Sequence, residues 1–298
     1  MNTNRISVLT TLVALSLFAV SGCKCPFAAS SQSGQIPAKY KQNGFAIGCQ
    51  AYTFKEFTTF EAIEKTAQAG GKVIEFYPRQ KLSQAEPEVW NHNSSEEIIA
   101  KVKAKLHQHG VFAANYGVVP IPQDENEARK IFAFAKKMGM IAITTESDKS
   151  IDLIEKLVKE YDIKVAFHNH PKRPNDPNYR VWDPNYILQL VKNRDPRIGA
   201  CADTGHWVRS GLKPVDCLKI LKGRIISSHL KDLNEFGKVE AHDMPYGQGV
   251  SDIAGILDEL KAQNFQGNIS VEYEYNWKNS VPEVTQCIDF VRNHRAKK

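Results

Sequence analysis

The chain has 298 residues, 42% hydrophobic and 24% charged, with a formal net charge of +6. This is ordinary for a globular protein and long enough for one large domain or two small ones. The positive charge is scattered, with no Lys/Arg block interleaved with aromatics, which argues against a nucleic-acid partner.

Residues 1–22 do not read as part of the fold. Arg5 supplies a short positive region, and Val8 to Val20 is an apolar run too short to span a bilayer comfortably. It ends in Val20-Ser21-Gly22-Cys23, which resembles the bacterial lipobox that precedes a lipid-modified cysteine. The resemblance implies a lipoprotein signal peptide over 1–22, a lipid anchor on Cys23 and a polar tether over 23–43. The protein is then exported and lipid-anchored, in the periplasm or at the cell surface of a Gram-negative bacterium, and meets the membrane only through that lipid. The later cysteines, Cys25, Cys49, Cys201, Cys217 and Cys287, are odd in number, far apart and without a CxxC. They form neither a disulfide framework nor a zinc ribbon, although export would allow two of them to pair.

From Gly44 onward strand-like and helix-like segments alternate. Phe45 to Tyr52 reads as a strand and Thr59 to Gln68 as a helix ending at Gly70-Gly71. Val73 to Tyr77 is a second strand, stopped by Pro78. Ser94 to His109 is a helix with a serine N-cap and Gly110 as its stop. Val111 to Val119 is the third strand, closed by Pro120 and Pro122, and Glu125 to Met138 is a helix halted by Gly139. Ile141 to Thr145 leads into Glu146 and a helix from Ser150 or Ile151 to Glu160. Ile163 to His170 is the fifth strand, followed by a Pro-rich loop and a helix over Pro184 to Lys192. Ile198 to Asp203 pairs with a helix over Pro214 to Leu221, and Ile225 to Leu230 with one over Asp252 to Gln263. Ile269 to Tyr275 is the eighth strand, and Val281 to His294 the closing helix. Eight strand–helix units with short connections predict an α/β fold, a single-domain (β/α)8 TIM barrel over 44–298. A doubly wound open sheet is the alternative, but GFAIGCQAYTF after Gln42 and Asn43 is not a glycine-rich phosphate turn.

In such a barrel the active site lies at the C-terminal strand ends. The polar residues there are Gln50, Tyr52, Glu75, Tyr77, Asn115, Tyr116, Glu146, His168, His170, Asp203, His206, His229, Lys231, Glu272 and Glu274. Five of the nine histidines lie between 168 and 242. Carboxylates and imidazoles are costly to bury unless they are paired or bind a metal. An Asp203 and a His229 at the ends of neighbouring parallel strands, one strand–helix unit apart, form a ligand arrangement for a divalent cation. His229 and Lys231 alternate onto one face, as do Cys201 and Asp203.

VAFHNH (165–170), CADTGHW (201–207), GRIISSHLKD (223–232) and ISVEYEYNW (269–277) together resemble the xylose-isomerase-like TIM-barrel superfamily, often called the sugar phosphate isomerase/epimerase family. The resemblance covers about Gly44 to Arg292. It implies one divalent metal ion (Mn²⁺, Co²⁺, Zn²⁺ or Mg²⁺) at the barrel mouth, with Asp203, His229 and Glu272 as three of four ligands and His206 in contact with substrate. The family's fourth ligand is a glutamate on the fifth strand, where this chain has His168. Either His168 ligates directly, or Glu146 at the end of the fourth strand completes the site; a second carboxylate better balances a hard cation, which favours Glu146. The motifs also look like those of exported members that accompany oxidoreductases acting on glycosides, implying keto-sugars or 3-keto-glycosides as substrates.

A cation so held polarises a sugar carbonyl, acidifies the neighbouring C–H and stabilises an enediolate. His170 or Glu274 is expected to move protons, with Lys231 stabilising negative charge. Structural roles remain open for each: His170 orienting a ligand, and Lys231 in a salt bridge with Glu274 or neutralising Asp232. Glu75, His242 and Trp207 are candidates for substrate contact, with Trp182 and Trp277 as further stacking candidates. No glycine-rich turn or arginine cluster follows the seventh or eighth strand, so a non-phosphorylated substrate is expected. The reading is a metal-dependent sugar isomerase or epimerase of a small-molecule keto-sugar or sugar derivative. A 3-keto-glycoside lyase or hydratase sharing the first step, favoured by the missing fifth-strand glutamate, and a non-catalytic carbohydrate-binding lipoprotein are the alternatives. A homo-oligomer is left open.

Overall fold

The computed structural model describes residues 1 and 34–295. The signal segment, the Cys23 anchor, Cys25 and the tether as far as residue 33 lie outside the described residues. Eight parallel strands close into a barrel: β1 Ala46–Gln50, β2 Val73–Phe76, β3 Phe112–Tyr116, β4 Ala142–Thr145, β5 Lys164–His168, β6 Ile198–Asp203, β7 Ile225–Leu230 and β8 Asn268–Val271. Sequential strands are neighbours all the way round, and β1 pairs with both β2 and β8. The expected TIM barrel is therefore the fold.

The helices start and stop where local chemistry dictates. The first, α1 (Thr59–Gln68), opens on a capping box between Thr58 and Glu61. Next, α2 (Glu96–His109) is capped by Ser95 and stopped by Gly110 in the left-handed region, and α3 (Glu125–Met138) by Asp124 and Gly139 in the same way. Then follow α4 (Ile151–Tyr161) and α5 (Pro184–Val191). One helix is absent from the sequence reading: α6 (Thr204–Arg209) begins at once after β6, with Asp203 as its N-cap. It precedes α7 (Pro214–Ile220), α8 (Ile253–Ala262) and α9 (Val281–Asn293). The apolar faces of the helices and the outward faces of the strands make one continuous core that includes Ile47, Ile74, Phe132, Leu157, Leu257 and Ile288. Ile36 is buried against Ala46, Val73 and Ala114, so packing onto the barrel begins before Gly44. Cys49, Cys201, Cys217 and Cys287 are buried free thiols.

Several strands stop earlier than their apolar runs. β1 ends at Gln50 because its side chain accepts from the Tyr52 amide and turns the chain into a 3-10 segment, Ala51–Phe54. β5 ends at His168: Asn169 bonds through its amide to both the N–H and the C=O of Asp203, and the His170 amide goes to the Tyr179 hydroxyl. β8 ends at Val271, since the Tyr273 and Glu274 amides are taken by Thr53 Oγ1 and Asp243 Oδ2. Side chains substitute for the missing ladder partners, as buried backbone groups require. In this way Glu272, His170 and Glu274 leave the sheet and face the mouth region. Two antiparallel ribbons, Gln80–Lys81 with Val89–Trp90 and Asp232–Leu233 with Asp243–Met244, extend the loops after β2 and β7.

Candidate metal centre

Four residues from consecutive barrel strands converge. His168 ends β5, Asp203 ends β6, His229 lies in β7 and Glu272 follows β8. All four are buried, and one donor atom from each falls within 4.8 Å of the others. His168 Nε2, Asp203 Oδ2 and His229 Nδ1 have no hydrogen-bond partner, although buried polar atoms are almost always satisfied. Two imidazoles and two carboxylates turned toward each other, three of their donor atoms without a hydrogen bond, are what a Mn²⁺, Co²⁺ or Zn²⁺ ion takes, so the residues fit a divalent metal.

A second set of contacts orients this donor set. Glu146, expected among the ligands, stands behind His168 rather than among the four. Its Oε1 takes His168 Nδ1 at 3.0 Å, the Tyr179 hydroxyl at 3.1 Å and His170 Nδ1. The physical reason is reach: β5 ends beside Glu146, and one carboxylate oxygen faced by two imidazoles is satisfied without leaving them. Burial raises the Glu146 pKa, but these two histidines outweigh it and hold it below the ordinary carboxylate range. With both Nδ1 protons drawn to one ionised oxygen, His168 and His170 each present an Nε2 lone pair.

Glu75, expected to touch substrate, is fully buried at 0% exposure and cannot. It lies inside the barrel, with Thr144 Oγ1 donating at 2.7 Å and Ser270 Oγ at 3.0 Å, and its Oε2 3.0 Å from His229 Nε2. The Glu75 carboxylate favours a proton on Nε2, which would leave Nδ1, 3.2 Å from Glu272 Oε2 and 3.8 Å from Asp203 Oδ2, as the ligating nitrogen. Such partners fix a ligand's tautomer and are typically worth about 10- to 100-fold in metal affinity. Glu75→Gln and Glu146→Gln are each expected to weaken Mn²⁺ binding by about that factor. Without metal, burial lowers the His168 pKa but Asp203 and Glu146 outweigh it and raise it to about 10, and at His229 Cys201, Glu75 and Glu272 together likewise overcome burial. Both must shed protons to ligate, so Mn²⁺ uptake at pH 7 should release protons and weaken as pH falls. Calorimetry in buffers of different ionisation enthalpy reads this directly; a buffer-independent heat would contradict it.

Lys231 is the one ammonium in the cluster. It is fully buried, with Nζ 2.7 Å from Glu272 Oε2, 3.0 Å from Asp203 Oδ2 and 3.5 Å from Glu274 Oε2. Burial opposes its charge, but Asp203 and Glu272 more than compensate and raise its pKa well above the ordinary value. Asp232 does not take this lysine; its carboxylate collects the amides of Gly247, Gly249 and Ser251 and shapes the loop after β7. Gly205 lets the lysine pass, since a Cβ there would stand 2.6 Å from Lys231 Cβ.

His206 is buried, with Nε2 3.4 Å from Lys231 Nζ and 3.6 Å from Asp203 Oδ2. Its Nδ1 faces Arg209 Nη1 at 3.1 Å. The Arg209 guanidinium and the Lys231 ammonium can only donate, so each ring nitrogen faces a cationic donor. Burial lowers the His206 pKa well below the ordinary value, consistent with a neutral ring. Arg209 went unrecognised in the sequence, yet it also holds Glu274 Oε2 at 3.1 Å and the Ala241 carbonyl. The signal existed: an Asp followed three residues later by an amide it can cap marks a helix start, and Asp203 Oδ1 does accept from the His206 amide at 2.8 Å.

A cavity of about 330 Å³ opens onto this centre, lined by Gln50, Tyr52, Tyr77, Arg79, Val118, His170, Glu272 and Glu274. His170 and Glu274 thus reach the space next to Glu272. Trp207 does not: it is 1% exposed, turned from α6 into the core, too deep to stack on a ligand. Trp277 packs edge-on against Tyr52 at 5.8 Å, while Trp182 sits under the Lys172 ammonium. His242 stacks on Tyr275 at 4.5 Å and is not among the cavity-lining residues.

A family profile described as "Xylose isomerase-like TIM barrel" matches residues 63–294. The chain belongs to the xylose isomerase-like TIM barrel family. An uncharacterised protein of Parabacteroides distasonis ATCC 8503, solved by crystallography, is 32% identical, with a TM-score of 0.68 over 84% of this chain and 98% of that one. Inosose dehydratase from Clostridium tetani is 30% identical over 142 residues, 42% of this chain and 45% of that protein. The matched stretch therefore spans about half the length of the curated relatives. D-allulose 3-epimerase from Methylomonas sp. shares the fold, with a TM-score of 0.64 at 15% identity over 84% of this chain and 97% of that one.

Proposed function

We propose that this protein is a divalent-metal-dependent enzyme that removes the proton next to the carbonyl of a non-phosphorylated keto-sugar. The observation carrying this reading is the juxtaposition of a four-residue donor set, three of its atoms unpartnered, with a cavity whose wall holds His170 and Glu274 beside Glu272. The metal held by His168, Asp203, His229 and Glu272 would supply Lewis-acid polarisation of the carbonyl and the adjacent oxygen. His170, its Nδ1 proton held by Glu146, offers Nε2 as the base. Lys231 provides a fixed positive charge beside the carboxylates. Arg79 is the one Lys or Arg on the wall, where it faces two carboxylates, Glu272 and Glu274, and a lone arginine is not a phosphate cradle, which favours an unphosphorylated substrate.

Two outcomes follow from one proton abstraction. If His170 hands the proton it has taken to the β-hydroxyl, the C–O bond breaks and water leaves, giving elimination. If a different group returns a proton on the other face, the sugar is epimerised. Elimination has the better support: His170 has no partner at Nε2 among the described residues, whereas Glu274 is tied to Arg209 and approached by Lys231, so the two groups are unlike and directional. The similarity to inosose dehydratases points the same way. The test is incubation of the Mn²⁺-loaded protein with inosose and with D-fructose in D₂O, followed by NMR. Loss of water with an unsaturated product supports elimination; deuterium at the carbon next to the carbonyl without water loss supports isomerisation or epimerisation. Neither change at saturating metal would leave a carbohydrate-binding protein. The Val20-Ser21-Gly22-Cys23 pattern extends the proposal to an exported, lipid-anchored enzyme, checked by metabolic labelling with a radiolabelled fatty acid in wild type and Cys23→Ser.

A further inference from the structure

The floor of the barrel, the end opposite the metal centre, carries a charge pattern that the proposed reaction does not use. Residues 36–43 are stitched across it. Ile36 is buried against Ala46, Val73 and Ala114 of β1, β2 and β3, and Tyr40 packs on Phe112 at 5.2 Å. Lys41 Nζ donates to Gln266 Oε1 at 2.9 Å and Gln42 Nε2 to the Gly70 carbonyl at 2.9 Å. Asn43 Nδ2 donates to the Val291 and His294 carbonyls at 3.1 and 2.7 Å. These contacts fix the point at which the preceding chain leaves the barrel. It leaves at the floor.

Charge is divided between the two ends. The connections that enter the strands, with the described residues before β1 and after α9, hold nine lysines and arginines against two aspartates. The connections that leave the strands hold twelve against fifteen acidic residues, so the mouth is slightly negative and the floor strongly positive. Arg197 takes both floor aspartates, Asp162 and Asp195. Lys39, Lys72, Lys192, Lys222 and Arg295 are exposed and make no ion pair among the described residues. Cations at helix C-termini complement the helix dipole, which accounts for Lys192 and Lys222 at the ends of α5 and α7. It does not account for Lys39, which precedes β1. Like charges left unpaired on one face repel each other, and a surface of opposite sign relieves that repulsion.

We propose that the floor is the face this protein lays on an anionic phospholipid bilayer, its lysines toward the headgroups and its mouth toward the solvent. The inference rests on the lipid-anchor reading above and adds which face of the barrel the bilayer meets. Cys23 lies eleven positions before Gly34, and a chain of that length reaches at most about 40 Å. A lipid on Cys23 therefore keeps the barrel at the bilayer without setting its tilt. The floor lysines set the tilt, because the attraction of basic residues to anionic headgroups falls off within about 8 Å.

The test uses the full chain as Cys23→Ser, which carries no lipid at that position. Its binding is measured by sedimentation with vesicles of phosphatidylcholine, alone or with about 30% phosphatidylglycerol, at about 50 mM and 500 mM NaCl. The anionic vesicles should bind at least about tenfold tighter at the lower salt, and the difference should vanish at the higher. Lys39→Glu, Lys72→Glu, Lys192→Glu and Lys222→Glu together should weaken binding to the anionic vesicles at least about tenfold and leave the neutral ones unchanged. Reversed as two pairs, Lys39 with Lys72 and Lys192 with Lys222, they should each give part of that loss, so one folded pair suffices. Lys149→Glu, Lys213→Glu, Lys238→Glu and Lys278→Glu change the net charge equally at the mouth end and should alter binding less than about twofold. Thermal melts verify the fold of each variant. No preference for anionic vesicles, a preference that survives the floor reversals, or an equal loss from the mouth set overturns the floor as a membrane face. None of these touches the lipid-anchor reading, which stands or falls on the fatty-acid labelling of Cys23.

Discussion

If the protein is the metal-dependent enzyme proposed above, replacing Asp203 with alanine is expected to abolish divalent-ion binding and to lower kcat/KM on the order of 10³-fold. Asp203 Oδ2 accepts no hydrogen bond and has only the Lys231 ammonium, at 3.0 Å, as a close cation, and the neighbouring ligands cannot make up for its loss because His168 and His229 each face an orienting carboxylate. Its Oδ1 has a separate task, accepting from the His206 amide at the start of α6. Alanine therefore also costs about 1 kcal/mol of helix capping. Asp203→Asn separates the two effects, keeping a capping oxygen while losing the anionic ligand. Metal content by mass spectrometry, together with unfolding in urea, reads both. If Asp203→Ala retained about one ion per chain with activity within tenfold of wild type, the four-residue cluster would not be the metal site.

The second large effect is expected at Lys231. In the metal-free protein Asp203 and Glu272 have this ammonium as their closest cation. Lys231→Met leaves two buried carboxylates without it and should destabilise the metal-free chain by about 3–5 kcal/mol. Saturating Mn²⁺ should recover most of that loss, because an ion that binds only the folded state supplies both charge and stability. The comparison of urea midpoints in EDTA and in Mn²⁺ is decisive: an equal loss in both would mean that the lysine's role is independent of the metal. The acid side has a definite sign. Burial raises the pKa values of Asp203 and Glu272, but the surrounding cations outweigh it and hold both below the ordinary carboxylate range. Their stabilising contribution is therefore complete above about pH 4 and is lost as pH falls through the lower folded values.

Arg209 and Glu75 mark the boundary between what could be read in the chain and what could not. Alternation of apolar runs with amphipathic helices determines the barrel, because parallel strands need crossover helices and eight such units close. Once the strands are placed, their C-terminal ends bring His168, Asp203, His229 and Glu272 to one rim, and the period of two gives the face each occupies. Depth is not in that pattern. Glu75 is level with Gln50 and Asn115 in the sheet, yet of the three Gln50 alone lines the cavity, while Glu75 is held by Thr144 and Ser270 inside the barrel. Nor can sequence rank two candidate ligands, Glu146 and His168, that are 22 positions apart; in the structure His168 joins the four-residue cluster, while Glu146 Oε1 lies 3.0 Å from its Nδ1 and groups with His168 and His170. The short helix α6 is similarly invisible to periodicity, since six residues carry too little repeat to register, and with it went Arg209. By itself the sequence determined the fold and the rim of imidazoles and carboxylates, because these follow from local pattern and chain direction. The tertiary structure alone decided which carboxylates orient histidines, which lysine faces them and where the cavity opens, because those depend on distances across the barrel between strands far apart in the chain.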